Sequence, residues 1–218
     1  MPDRRGFGAS PAAEICDFEV DVVDVEPLLG DGAHLVGHSF GGLVALLLAA
    51  RSPERVRSLT LIEPAGHALA PDAPDVLETV ARYEHLRGVT DPEEFLDAFL
   101  AFLGLPADGQ PRPMGTRTAQ HVGMAMRERR PWSATIRRAT LAGHPYPVQV
   151  VSGGRGDVFD TVSDAVACAY GPGTRRELVA GAPHDIQSVG GAVNPMLEAF
   201  WLSVPPNAVP EVGARPDS

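Results

Sequence analysis

Residues Gly37-His38-Ser39-Phe40-Gly41-Gly42 set one serine between glycines, directly behind the short apolar run Ala33 to Val36 and directly ahead of the wholly apolar stretch Leu43 to Ala50. A strand that turns straight into a buried helix leaves little room for β-carbons beside the bend. Glycines two residues on either side of the serine are therefore what such a turn needs. The serine hydroxyl then stands above the end of a sheet. The backbone N–H of Phe40, opening the helix, faces the place where an oxyanion would form on a bound acyl group. Pro53 closes the helix.

A strand-turn-helix unit of this kind belongs to a parallel sheet, and the downstream pattern agrees. Val56 to Ile62 is the next strand, parallel to the first through a right-handed crossover, and Pro64 ends it. From Gly66 the pattern becomes helical. Val76, Leu77, Val80, Tyr83 and Leu86 share one face, and Asp91-Pro92-Glu93-Glu94 is a helix start ahead of Phe95, Leu96, Phe99, Leu100 and Leu103. A third helix covers Arg117 to Arg129. Strand character returns at Pro147 to Val151, followed by the loop Ser152 to Asp157 and a helix over Thr161 to Tyr170. A last strand, Arg176 to Ala180, leads into Gly181-Ala182-Pro183-His184, and Asn194 to Leu202 closes the chain as a helix. This order predicts an α/β fold: a mostly parallel sheet with helices on both faces in three α/β/α layers. Residues 1–66 and 141–204 form the core, and 67–140 a helical lid on the side where strand C-termini gather ligands. Residues 205–218, with four prolines, read as a disordered tail.

A chain of 218 residues, 44% of them hydrophobic, has room for one such domain with an inserted subdomain. Its net charge of −10 argues against nucleic acid or an anionic membrane as partner. The arginines at 127, 129, 130, 137 and 138 read as a solvated helix face. Cys16 and Cys168 lie far apart without metal-ligand spacing, which argues against a disulfide scaffold or a zinc site and fits a cytoplasmic location. No stretch has the length of a signal-peptide core or a membrane span.

Serine is a weak nucleophile until a base takes its proton, and the base must be oriented by a third group. His184 is the best-placed base, in the loop after the last strand and at the same sheet end as Ser39. His34 lies in or before the first strand; His67, His85 and His121 fall in the helical insertion; His144 precedes a strand; the side chain of His38 should point away from the serine. For the orienting acid, Asp157 in Gly154-Arg155-Gly156-Asp157 ranks first, Glu63 directly after Ile62 is its rival, and Asp160 comes third. The lid side chains Phe95, Phe99, Phe102, Met124, Met126 and Trp132 would set substrate size and exclude water. No metal or organic cofactor is implied.

These features together resemble the α/β-hydrolase superfamily. Asp3-Arg4-Arg5-Gly6-Phe7-Gly8-Ala9-Ser10 is similar to the Asp-x-Arg-Gly-x-Gly-x-Ser loop of that family. The serine turn, the Pro53-Glu54-Arg55-Val56 lead-in to the next strand, the Gly-x-x-Asp loop at Asp157 and the Gly-x-x-His turn at His184 follow in family order, over about residues 3 to 203. The resemblance implies a serine hydrolase acting on an ester or related acyl bond of a small, largely apolar substrate, with Ser39, His184 and Asp157 or Glu63 as triad and Phe40 N–H as oxyanion donor. The Asp-Arg-Arg-Gly-Phe-Gly run is also similar to the cofactor-free haloperoxidase and perhydrolase branch, in which peroxide replaces water. Some haloalkane dehalogenases place their acid where Glu63 stands, but their aspartate nucleophile is replaced here by Ser39. Family members carry further strands and a His-Gly loop, donor of a second oxyanion N–H, upstream of the arginine-glycine loop. Loss of such a donor costs about 2.7–4 kcal/mol of transition-state stabilisation. The resemblance therefore implies an apolar edge at the serine-bearing strand, open to a homo-oligomeric contact. It also leaves two further expectations, a fragment of a longer product and a truncated, non-catalytic domain that binds a ligand or partner chain.

Overall fold

The computed structural model describes residues 2–105, 115–188, 191 and 193–205. Its centre is a wholly parallel sheet of β1 (Ala33–His38), β2 (Val56–Ile62), β3 (Val148–Ser152) and β4 (Arg175–Leu178), which lie side by side in the order the chain makes them. Around it are α1 (Phe18–Val25), α2 (Ser39–Arg51), α3 (Pro74–Leu86), α4 (Pro92–Phe102), α5 (Thr116–Met126), α6 (Arg138–Ala142), α7 (Val158–Tyr170) and α8 (Val193–Leu202).

The period-2 alternation of a strand divides β2 between two faces. Leu59 and Leu61 pack with Ala45, Leu46 and Ala49 of α2 and with Val162 and Val166 of α7 on one side. On the other, Ile62 and Val151 meet Val193 and Leu197 of α8. The result is the three-layer arrangement of helix, sheet and helix. α2 is apolar all round because it is covered twice, by the sheet and by α1, whose Phe18 and Val22 lie against Leu43 and Leu48.

Register decides where the strands end. His38 pairs with Ile62, Ile62 with Val151, and Ser152 with Leu178. All four strands therefore stop along one line, and Ser39, Glu63, Gly153 and the segment leading to His184 leave the sheet at the same end. Among the described residues β1 stands at the sheet edge, hydrogen-bonded to β2 alone, with Val36 39% exposed.

Several boundaries differ from those that the sequence pattern predicts. α2 begins at Ser39, one residue before Phe40, because the turn is itself the first turn of the helix. α7 begins at Val158 and not at Thr161, since the Asp157 side chain accepts the backbone N–H groups of Phe159 and Asp160 as an N-cap. α1 and α6 have no counterpart in the sequence expectations. The α1 sequence, Phe-Glu-Val-Asp-Val-Val-Asp-Val, is rich in β-branched residues of low helix propensity; the Asp17 cap and the burial of Phe18 and Val22 make it helical.

Between β2 and β3 the described residues form helices, and Tyr83, Leu86, Phe95 and Val122 make a separate apolar cluster there. Asp91 caps α4 by accepting the N–H groups of Glu93 and Glu94. The tail expected at 205–218 lies, from residue 206 onward, outside the described residues. Among the described residues no helix is long and apolar enough to cross a membrane.

Candidate active site

The turn from β1 into α2 holds Ser39 at φ 53°, a left-handed backbone that a residue with a β-carbon adopts only under constraint. Gly37 supplies that constraint: a β-carbon there would lie 2.3 Å from the Gly41 carbonyl oxygen and 2.7 Å from Ala45 Cβ. The second glycine of the motif does not act as the sequence pattern suggests. A β-carbon on Gly41 would meet open space, whereas one on Gly42 would come within 2.9 Å of Pro64. The close approach is thus one residue later, where α2 passes the chain leaving β2. The N–H of Phe40 lies in the first turn of α2, where backbone donors have no acceptor within the helix. The Phe40 ring is pinned by Arg4, whose guanidinium lies 4.1 Å from the ring centroid and is held by Asp21 at 2.8 Å and Glu128 at 3.0 Å.

Glu63 is the first residue after β2, also left-handed at φ 41°, and is 0% exposed. That backbone turns its carboxylate under the loop carrying His184. His184 Nδ1 lies 2.7 Å from Glu63 Oε2, and His184 Nε2 lies 2.9 Å from Ser39 Oγ. A carboxylate can only accept, so Nδ1 carries the proton and donates it to Glu63. In the neutral ring Nε2 is then the acceptor for the serine hydroxyl. The imidazole is buried and stacks on Phe159 with centroids 4.0 Å apart. Glu63 also accepts the Gly153 N–H at 2.8 Å and Arg155 Nη2 at 3.1 Å. Burial works to raise the Glu63 pKa, but hydrogen bonds from His184, Arg155 and Gly153 outweigh it and leave the carboxyl below its ordinary value.

The structure brings Glu63, and not Asp157, to the imidazole. Asp157 instead caps α7 and accepts Arg155 Nε at 2.7 Å, so both of its oxygens are engaged away from His184. Asp160 is also excluded from the imidazole: it accepts the N–H groups of Gly154 at 3.0 Å and Gly156 at 2.6 Å, and the Ser152 hydroxyl. His38 has a defined task. A backbone carbonyl can only accept, so its Nε2, 2.8 Å from the His184 carbonyl oxygen, donates there and braces the loop that presents the base. His34 bonds Ser58, His121 accepts from the Gly8 N–H, and His144 bonds the Tyr146 carbonyl.

A cavity of about 60 Å³ opens beside Ser39, walled by Phe40, His67, Tyr83, Phe99, Phe102 and Trp132 among others. Of the six lid side chains singled out in the sequence, Phe99, Phe102 and Trp132 line it. Phe95 and Met124 are buried away from it, and Met126 packs against the lid cluster. A larger cleft, about 690 Å³, adjoins this cavity through Thr79, Phe102, Leu103 and Phe159; its wall includes Asp75, Arg82, Arg155, Asp157 and His184 but not Ser39. The smaller cavity is the one that contains the Ser39 hydroxyl. The sequence marks His67 only as a residue of the insertion; burial drives its pKa down to about 4, so the ring in the cavity wall is neutral. Arg155 carries no signal in the sequence as a site residue, since its contact with Glu63 spans 92 positions. Among the described residues no group of three or more His, Cys, Asp or Glu is arranged to hold a metal ion.

Comparison with known proteins places the chain in a family. Residues 1–190 match the family model for the alpha/beta hydrolase fold. The lipase LipV of Mycobacterium tuberculosis is 40% identical over 97 residues, which is 43% of this chain and 36% of the lipase, so the match spans little more than a third of that relative's length. Two solved structures from Mycobacterium tuberculosis share the fold at 22% identity. Rv0554 superposes with a TM-score of 0.67 over 93% of this chain and 78% of its own. The proposed non-heme bromoperoxidase BpoC gives 0.64 over 93% and 80%. The chain belongs to the alpha/beta hydrolase fold family.

Proposed function

We propose that the protein is a serine hydrolase that cleaves an ester or related acyl bond of a small, largely apolar substrate. The observation that carries this reading is the unbroken hydrogen-bond chain from Ser39 Oγ through the two nitrogens of His184 to Glu63 Oε2. Ser39 attacks the carbonyl carbon while His184 Nε2 takes its proton; the imidazolium so formed is stabilised by Glu63 and returns the proton to the leaving alcohol. Water then attacks the acyl-enzyme by the same route in reverse. The Phe40 N–H faces the developing oxyanion. The aromatic walls formed by Phe99, Phe102 and Trp132 favour an apolar substrate and keep water from the acyl-enzyme.

The test is covalent labelling. A fluorophosphonate probe should modify Ser39, identified by peptide mass, and Ser39→Ala should abolish the label. Undiminished labelling of the alanine variant would overturn the proposal.

A further inference from the structure

Arg155 sits between two carboxylates. Its Nη1 and Nη2 fork onto Glu63, at 3.0 Å from Oε1 and 3.1 Å from Oε2, while its Nε donates to Asp157 Oδ2 at 2.7 Å and Nη1 also reaches the Ala182 carbonyl. The backbone is shaped around it. A β-carbon on Gly153 would lie 2.2 Å from Arg155 Nη1, so glycine at 153 is what lets the guanidinium pass, and the Gly153 N–H then serves the same Glu63 carboxylate.

We propose that Arg155 is a positioning residue for the triad, holding Glu63 aligned on His184 as a carboxylate, with Asp157 acting as the counter-ion of Arg155 and not as the acid of the imidazole. The inference rests on the serine hydrolase reading of Ser39, His184 and Glu63. A carboxyl group that is wholly buried tends to stay protonated unless it is paired and hydrogen-bonded. A protonated Glu63 could still orient His184, but it could not stabilise an imidazolium. The guanidinium, donating to Oε2 and ion-paired with Oε1, and the Gly153 N–H on Oε1 together satisfy both oxygens and keep the charge. An arginine so close to the base has a cost, because its positive charge disfavours the imidazolium. Asp157 offsets that cost: Glu63, Arg155 and Asp157 sum to one negative charge, the same as a lone triad acid. This gives the carboxylate at 157 a task although its side chain is turned from His184.

The ionisable groups around the imidazole are Glu63 at the end of β2, Arg155 and Asp157 in the β3–α7 loop, His38 at the end of β1 with ring centroids 4.8 Å apart, His67 after β2 and the neighbouring Asp185. Altering Arg155 and altering Asp157 should shift this set in opposite directions, a pattern that a merely structural role does not produce.

The experiment uses the full chain labelled with ¹⁵N. The His184 ring nitrogens are titrated by NMR in the wild type, Arg155→Met, Arg155→Lys and Asp157→Asn, and kcat and KM for p-nitrophenyl acetate are followed against pH. Arg155→Met should raise the apparent pKa of the His184–Glu63 pair by about one unit or more and lower kcat about tenfold or more, with KM little changed. Arg155→Lys should restore most of the titration but only part of kcat, since it returns the charge without the fork. Asp157→Asn, which retains an N-cap side chain, should lower the pair's apparent pKa. Shifts of the same sign in Arg155→Met and Asp157→Asn, or none, overturn the proposal. Should Arg155→Met fail to fold, the sign of the Asp157→Asn shift decides alone. A wild type that hydrolyses no ester and resists the fluorophosphonate would overturn the hydrolase reading, while the titrations would still decide the role of Arg155.

Discussion

Ser39 and Glu63 are the two non-glycine residues with positive φ among those described, and each is the first residue beyond its strand. Left-handed backbone of this kind costs of the order of 1–3 kcal/mol per residue and persists only where the surroundings enforce it. Here the enforcement comes from close contacts at neighbouring positions, and these separate glycines that look alike in the sequence. Gly37→Ala would force a β-carbon into the Gly41 carbonyl, a contact of 2.3 Å, and should destabilise the protein by about 1–3 kcal/mol. Gly41→Ala, with nothing within 4 Å of the new β-carbon and a helical backbone, should be neutral or stabilising by up to about 1 kcal/mol. Urea denaturation of the two variants checks this; equal destabilisation by both would show that the pair of glycines acts as the bare motif suggests.

At the scale of elements, the strand order and register matter more than any one residue. Parallel strands that end level present Ser39, Glu63 and the Gly153 loop side by side, so three short segments far apart in sequence meet without long connections. α1 shows the opposite dependence, an element that exists because of its neighbour. Its own propensity is poor, and its stability derives from packing on α2. Phe18→Ala, which empties a fully buried site, should cost about 3–5 kcal/mol, whereas Val20→Ala on the exposed face of the same helix should stay within about 0.5 kcal/mol. Thermal or chemical denaturation distinguishes the two, and a small effect of Phe18→Ala would show that α1 contributes little to the core.

For the whole molecule, buried titratable groups link stability to pH. Burial lowers the His67 pKa from 6.5 to about 4. The folded ring therefore stays neutral over a range in which the unfolded chain takes up a proton. Stability is complete above the unfolded value and is lost as pH falls from 6.5 towards about 4, by on the order of 3 kcal/mol in all. Glu63 and Asp160, both held below their ordinary values, act in the same direction at lower pH: their contribution is present above the ordinary carboxylate pKa and disappears as pH falls through the folded one. His67→Phe should flatten the decline in unfolding free energy between about pH 7 and about pH 4.5. A variant whose stability falls in parallel with the wild type over that window would show that His67 does not carry the linkage.

Much of this protein is determined locally, and so by its sequence alone. The serine turn, the order of the four strands, the Asp91 cap and the position of His184 after the last strand all follow from short-range rules: period of apolar residues, the needs of tight turns, and the termination of helices by proline. Other features depend on contacts between distant segments. Both acids stand just beyond a strand, and no local pattern tells which side chain reaches the imidazole. That depends on the left-handed backbone at Glu63, on the helix cap that engages Asp157, and on an arginine that joins the two carboxylates. The same holds for α1, made helical by α2, and for Gly42, crowded by a proline 22 positions away. The sequence determined that a serine and a histidine would meet at one end of a parallel sheet; the tertiary structure decided which carboxylate meets them, because side-chain direction at the end of a strand is set by neighbours that only the fold brings near.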